Sequence, residues 1–360
     1  MGTSATQIPQ GGRIASVDAL TRPVDREAVA VMKASATEDV KRRITKQTGD
    51  ASARTFAIVF LFLAAAATLA GPPFLFALHD GPLSIPSLIG ATILAVLCAT
   101  HGVWACGRIR RIWTTNGTWI HRWRMRELAF ENRLNYIPTS EKFPILGTVL
   151  ERAGGGHWDT FRILSERFVL FGNVLPSGNG GDAHAPYGWG ILAVHLDARV
   201  PRMTLVPRSR RASLRAPLRG YASSQMMSLE GNFDKHFQLY VPADYSRDAL
   251  YVMTPDLMAL LIDHLPGSYV ETFDDTLVVT TPEPYDFSKP ATWHQLNLLL
   301  ETVIPKAVHQ TRNYRDARSD VHGHIAAAGS RLRVGLSRFI IFGLIWIIVL
   351  LVTFVFALNR

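Results

Sequence analysis

A chain of 360 residues with a net charge of +9, a pI near 9.8 and 48% hydrophobic residues is too apolar for a disordered polypeptide and long enough for a sizeable core. Its two cysteines, Cys98 and Cys106, exclude a disulfide framework, and no Cys-x-x-Cys is present to suggest a zinc or redox site. The charge is mostly arginine, and its placement along the chain carries more information than its sum.

Residues 1–53 are rich in Gly, Ser, Thr, Pro and Gln and predict a cytoplasmic N-terminal arm, largely disordered, with a charged helix over 24–46. Met1-Gly2-Thr3-Ser4-Ala5-Thr6 fits the loose N-myristoylation pattern, which arises readily by chance. Two apolar runs follow, Phe56–Leu78 and Ile85–Cys106, and a third, Phe339–Leu358, comes at the end. Each is about long enough to cross a hydrocarbon core as a helix, which takes roughly 20 residues. They predict three transmembrane helices, with a helical hairpin over 54–106 and a single anchor over 339–360. Gly71-Pro72-Pro73 should break the first. Basic residues flank these runs on one side of a consistent topology, with Lys41, Arg42 and Arg43 before the first, Arg108, Arg110 and Arg111 after the second, and Arg331, Arg333 and Arg338 before the third. By the positive-inside rule the arm and the large central domain face the cytoplasm. An arginine-rich, lysine-poor composition fits a bacterial protein, so the expected location is the bacterial inner membrane.

Residues 107–135 interleave Trp113, Trp119 and Trp123 with Arg108, Arg110, Arg111, Arg122, Arg124 and Arg126. Tryptophan prefers the headgroup layer and arginine seeks lipid phosphate, which predicts a juxtamembrane helix with the three tryptophans at the membrane interface. An α+β domain is expected over 136–312. Strand-like runs occur at Phe168–Phe171, Gly190–Leu196, Met203–Val206, His236–Val241 and Ala249–Met253. Thr254-Pro255-Asp256 opens a helix, with Thr as cap, Pro in the first turn and Asp on the dipole. Tyr269–Phe273 and Thr276–Thr281 suggest a hairpin about Asp274-Asp275. A last helix starts near Pro290 and should kink at Pro305. A basic connector, 313–338, leads to the final apolar run.

From Leu229 to Tyr240, Phe233 and Phe237 flank a turn into a strand. From Arg247 to Leu261, a strand ends in Thr254-Pro255 ahead of a Met- and Leu-rich helix. This pattern resembles uncharacterised bacterial integral membrane proteins that carry a domain of unknown function. The resemblance covers about Leu229–Thr281, with a weaker match at Trp189–Pro201. It implies the α+β fold and membrane anchoring, and it implies no catalytic residue.

The strongest chemical signal is electrostatic. Between Asp197 and Glu230 there is no acid, while the interval holds Arg199, Arg202, Arg208, Arg210, Arg211, Arg215 and Arg219. Pro201, Pro207 and Pro217 predict that part of it is loop. Such a loop on a membrane-tethered domain would bind anionic lipid, at roughly 1 kcal/mol per basic residue. The charge does not call for nucleic acid, since no stacking aromatics accompany it. His322-Gly323-His324 supplies two imidazoles, short of the three or four ligands of a zinc site. Ser177–Asp182 is Gly-rich but lacks the Lys-Ser/Thr of a phosphate loop. No Gly-x-Ser-x-Gly nominates a nucleophile for His157, His184 or His195. No cofactor and no metal are expected. The reading is a membrane-tethered interaction or scaffold module, with the lipid bilayer and a protein on the cytoplasmic face as partners. The alternatives are a membrane-bound hydrolase with a dispersed site, or a subunit of a transporter or channel.

Overall fold

β-Branched and aromatic residues crowd the middle of the chain, and there the backbone builds a sheet. The computed structural model describes residues 14–42, 44, 119–140, 154–176, 188–209 and 221–333. Two units divide the chain. One comprises Asp18–Glu127 and Asp286–Ser288, the other Met1–Val17, Leu128–Tyr285 and Lys289–Arg360.

In the first unit, helix α1 (Arg26–Ser35) starts at Asp25. The Asp25 carboxylate accepts from the N–H groups of Glu27 and Ala28 at 3.0 and 3.1 Å. That satisfies two of the donors a helix start leaves open. A further helix, α2 (Trp119–Glu131), has its residues to Glu127 in this unit and those from Leu128 in the other. Met125, Leu128 and Ala129 are buried along it, at the spacing of one helical face.

The second unit is organised by a seven-stranded antiparallel sheet. Its strands are β1 (Leu134–Ser140), β2 (Gly154–Ile163), β3 (Val169–Pro176), β4 (Trp189–Pro207), β5 (Met226–Met227), β6 (Phe237–Tyr240) and β7 (Tyr269–Thr281). The order is β1-β2-β3-β4-β6-β5, with β7 also paired to β4. The 19-residue β4 is the spine. Its start, Trp189–Val194, pairs with β3 and with β7. Its end, Thr204–Pro207, exchanges β3 for β6. Among the described residues five α-helices accompany the strands: α3 (Phe233–His236), α4 (Ser246–Val252), α5 (Pro255–His264), α6 (Pro290–Glu301) and α7 (Val303–Thr311).

The first six residues of β4 are all buried, as expected for a strand covered on both faces. On one face Leu170, Val174, Trp189, Ile191, Ala193 and Val278 form one cluster. On the α6 side Trp293, with no exposure, meets Phe161 and Phe171 edge-on at 5.0 and 6.0 Å, while those two rings stack at 5.5 Å. Edge-to-face and offset arrangements of this kind contribute beyond their buried area. Phe233 and Phe237 are both buried and stack at 5.3 Å, so the Phe-x-x-x-Phe spacing closes the α3–β6 turn onto the core.

The architecture corrects several expectations. Among the described residues no helix is long and apolar enough to cross a membrane. The longest, α2, has 13 residues, which rise about 20 Å against a hydrocarbon core of about 30 Å, and it carries Arg122, Arg124 and Arg126. What the structure shows is therefore an α+β fold in place of the three-transmembrane-helix architecture. The inner-membrane location and the cytoplasmic placement of the domain rest on those spans and are withdrawn with them. The runs 56–78, 85–106 and 339–358 themselves lie outside the described residues.

Three local expectations change as well. Ala249–Met253 is not a strand: Tyr245, Ala249 and Val252 are buried at helical spacing, and α4 occupies Ser246–Val252. Tyr269–Thr281 is one continuous strand rather than a hairpin. Asp274 adopts φ +55°, a left-handed conformation that Asp tolerates better than most residues, but it serves a bulge because β4 runs alongside both halves. Thr254 stands at the N-cap of α5, yet its side chain makes no capping bond. The break before Pro305 falls at Thr302. Pro305 then lies in the first turn of α7, where its missing N–H costs nothing.

Candidate functional site

The site grows out of an irregularity in β4. His195 is opposite Thr276, Val200 opposite Asp274, and Met203 opposite Thr272. Between the first two pairs β4 advances five positions while β7 advances two, so Leu196–Arg199 is pushed out of register. Bulges of this kind re-aim side chains and end pairing locally. On its other side β4 leaves β3 after Val194 and meets β6 only at Thr204. The backbone in between finds other partners. His195 N–H donates to the Phe168 carbonyl at 3.0 Å, and Arg202 N–H donates to the Gly329 carbonyl at 2.8 Å.

Gly329 belongs to an irregular strap, Arg312–Arg333, that follows α7. A Cβ at Gly329 would lie 2.4 Å from the Tyr245 ring, so a side chain there cannot be accommodated without displacement. Asp316 holds the strap. Its side chain has no solvent exposure, and it accepts from the Tyr245 hydroxyl at 2.6 Å, Ala326 N–H at 2.9 Å and Arg318 N–H at 3.0 Å. Arg318 reaches Asp248 at 3.1 Å, donates to the Asp244 carbonyl at 2.6 Å and lies over the Tyr245 ring at 4.3 Å. The Tyr314 hydroxyl donates to Asp248 at 2.7 Å. Farther along, Arg333 and the Gln225 amide exchange two hydrogen bonds of 2.9 Å.

These contacts set the electrostatics. Burial alone would raise the Asp316 carboxyl, but the Tyr245 hydroxyl, the Ala326 and Arg318 N–H groups and the Arg318 guanidinium outweigh it and hold the carboxyl below its usual range. Burial, then the bond to Asp316, pushes the Tyr245 phenol up. Burial, then Asp248, does the same to Tyr314. Both phenols therefore stay protonated donors.

Between the strap and the β4 bulge lies a cleft of about 290 Å³. Asp197, Arg199, Asp275, Tyr314, Arg315, His322 and His324 line it. Asp197 is engaged by Arg167 at 2.6 Å. Arg199 contacts Asp274 at 3.3 Å, and its Nη1 donates to His324 Nδ1 at 2.6 Å, which requires the lone pair on that nitrogen. Among the described residues no group of His, Cys, Asp and Glu is arranged to hold a metal ion. The cleft lining contains no serine or cysteine nucleophile.

The residues singled out from the sequence are scattered. Arg199 reaches the cleft. Arg202 sits in β4 and donates to Glu271 from Nε at 3.1 Å and from Nη2 at 2.8 Å, with its guanidinium 4.9 Å from the Phe273 ring. Arg208 donates from its side chain to the Gln238 amide oxygen and from its backbone to the His236 carbonyl. The stretch is thus strand as far as Pro207, which includes the expected run Met203–Val206. Arg210, Arg211, Arg215 and Arg219 lie outside the described residues, as do Trp113, His184 and Ser177–Asp182. Trp119 is half-buried and Trp123 buried. His157 is buried with Nδ1 2.7 Å from the Thr160 hydroxyl, and His195 stacks on Phe168 at 4.7 Å. Tyr245, Asp248, Tyr314, Asp316 and Arg318 were not legible as a group, because nothing local links an α4 carboxylate to a strap arginine 70 residues away.

No family model matches this chain, and no curated protein matches it. Among solved structures, the crystal structure of the mycobacterial trehalose monomycolate transport factor A, TtfA, is similar over 49% of this chain and 93% of that chain, at 13% identity and a TM-score of 0.32. A likeness that weak carries no argument about activity.

Proposed function

We propose that this chain is a protein-interaction module whose binding face is the exposed side of α4 together with the strap. The observation that supports it is a solvent-facing triad on one helical face: Arg247 and Leu250, with Leu250 52% exposed, and Tyr251, 45% exposed. Residues at i, i+3 and i+4 share a face. The Tyr251 ring lies 6.2 Å from that of Tyr314, a buried residue that fixes it against the strap. Tyrosine and arginine around an apolar centre are the composition of interface hot spots. The hydrogen bonds that tie the strap to α4 lower the ordering cost of binding. Arg247, exposed on this face, biases it towards a partner segment that combines apolar and acidic residues.

The test is selection from a displayed random-peptide library against the full chain. Enriched peptides should carry an aromatic or aliphatic anchor beside Asp or Glu, and Tyr251→Ala should weaken them at least tenfold. Failure to enrich any peptide, or equal binding to the Tyr251→Ala protein, overturns the reading.

A further inference from the structure

The cleft itself has a charge arrangement that the α4 face does not explain. Asp197 is neutralised by Arg167, Asp316 by Arg318 and Arg199 by Asp274. That leaves one full charge of each sign on the walls. Asp275, from β7, accepts the Thr276 hydroxyl at 3.1 Å and has no ion-pair partner among the described residues. Arg315, from the strap, uses Nη1 on the Tyr314 carbonyl at 2.6 Å and likewise has no carboxylate partner among them. Both line the same cleft, yet they do not pair with each other. The sheet and the strap hold them apart: Asp275 adjoins the bulge residue Asp274, and Arg315 stands between two anchors of the strap, Tyr314 and Asp316.

A carboxylate and a guanidinium that share a cleft without meeting are complementary to a ligand bearing an ammonium and a carboxylate of its own. The cleft's volume of about 290 Å³ is at the small end of ligand sites, which selects a molecule of amino-acid or dipeptide size. His322, exposed on the cleft wall, supplies a further polar contact. We infer that this cleft binds a small zwitterion of the α-amino-acid or dipeptide class, with its ammonium on Asp275 and its carboxylate on Arg315. Charge-assisted hydrogen bonds at both ends provide the selectivity, because a ligand that lacks one charge leaves the opposite wall unanswered. The site is separate from peptide binding on the α4 face, and its test uses different probes.

The experiment is calorimetric titration of the full chain with glycylglycine and a panel of free α-amino acids, each beside its N-acetyl and its C-terminal amide analogue. At least one zwitterion should bind, and removing either charge should weaken it roughly tenfold or more, the loss that follows one charge-assisted hydrogen bond. Asp275→Asn should erase the preference over the N-acetyl analogue, and Arg315→Gln the preference over the amide. Both side chains are at least partly exposed, and unchanged melting temperatures would confirm that the variants remain folded. Absence of heat for every zwitterion up to millimolar concentration overturns the inference. So does equal binding of the singly charged analogues, or variants that bind as the wild type does.

Discussion

The two parts of β4 illustrate how one strand does two jobs. Trp189–Val194 is an unbroken apolar run, buried throughout and paired on both edges. His195–Met203 contains Asp197, Arg199 and Arg202, slips register against β7, and is bridged by carbonyls from Phe168 and Gly329. In the first part hydrophobic burial decides everything. In the second, charged side chains cannot be covered on both faces, so the strand bulges and the polar groups gather at a cleft. Stability and recognition are thus assigned to neighbouring stretches of one element.

The most severe way to break this comparison is to open the core beneath the regular half. Trp293→Ala should cost about 3–5 kcal/mol, read as a large fall in melting temperature. A melting point that does not move would mean that the α6 aromatic contacts do not hold the sheet.

A smaller loss is expected at the irregular half. Asp316→Asn should cost about 1.5–3 kcal/mol, since hydrogen bonds to a charged acceptor are lost or weakened. Its sign with pH follows from the lowered carboxyl. Asp316 contributes stability in full above the unfolded value of about 3.9, and that contribution disappears as pH falls through the lower folded value. Urea unfolding across the acid range should therefore show a shallower acid dependence in the Asn variant. Parallel curves would show that the strap is not held by this carboxylate.

The finest probe is Gly329→Ala. Overpacking against Tyr245 should cost about 1–2 kcal/mol, and in a Tyr245→Ala background the same change should cost less, with the Ile325 methyl still close. Additive effects would mean that the Gly329–Tyr245 approach does not set the position of the strap.

Much of the domain's local structure was legible. Apolar runs marked parts of β3, β4 and β6, Pro255 and Pro290 marked the starts of α5 and α6, and the Phe233–Phe237 spacing marked two core anchors. Segments that two structures could satisfy were not. Ala249–Met253 is apolar enough for a strand, and only its burial at every third or fourth residue makes it helical. Asp274-Asp275 has the chemistry of a turn. A long neighbouring strand gave it a bulge to fill instead.

By itself the amino-acid sequence determined the α+β class, the arginine-rich and acid-free interval after Asp197, and the residues that favour strand or helix locally, because those depend on side-chain type and near-neighbour spacing. Only the tertiary structure decided that Arg199, Arg202 and Arg208 would be engaged by partners within the fold, and that the basic connector would contain a strap fixed by Asp316. It also decided that Asp275 and Arg315 would face one cleft. The physical reason is separation along the chain. Asp248 and Arg318, or Arg202 and Gly329, meet only after the sheet has brought distant segments together, and no local propensity encodes that meeting.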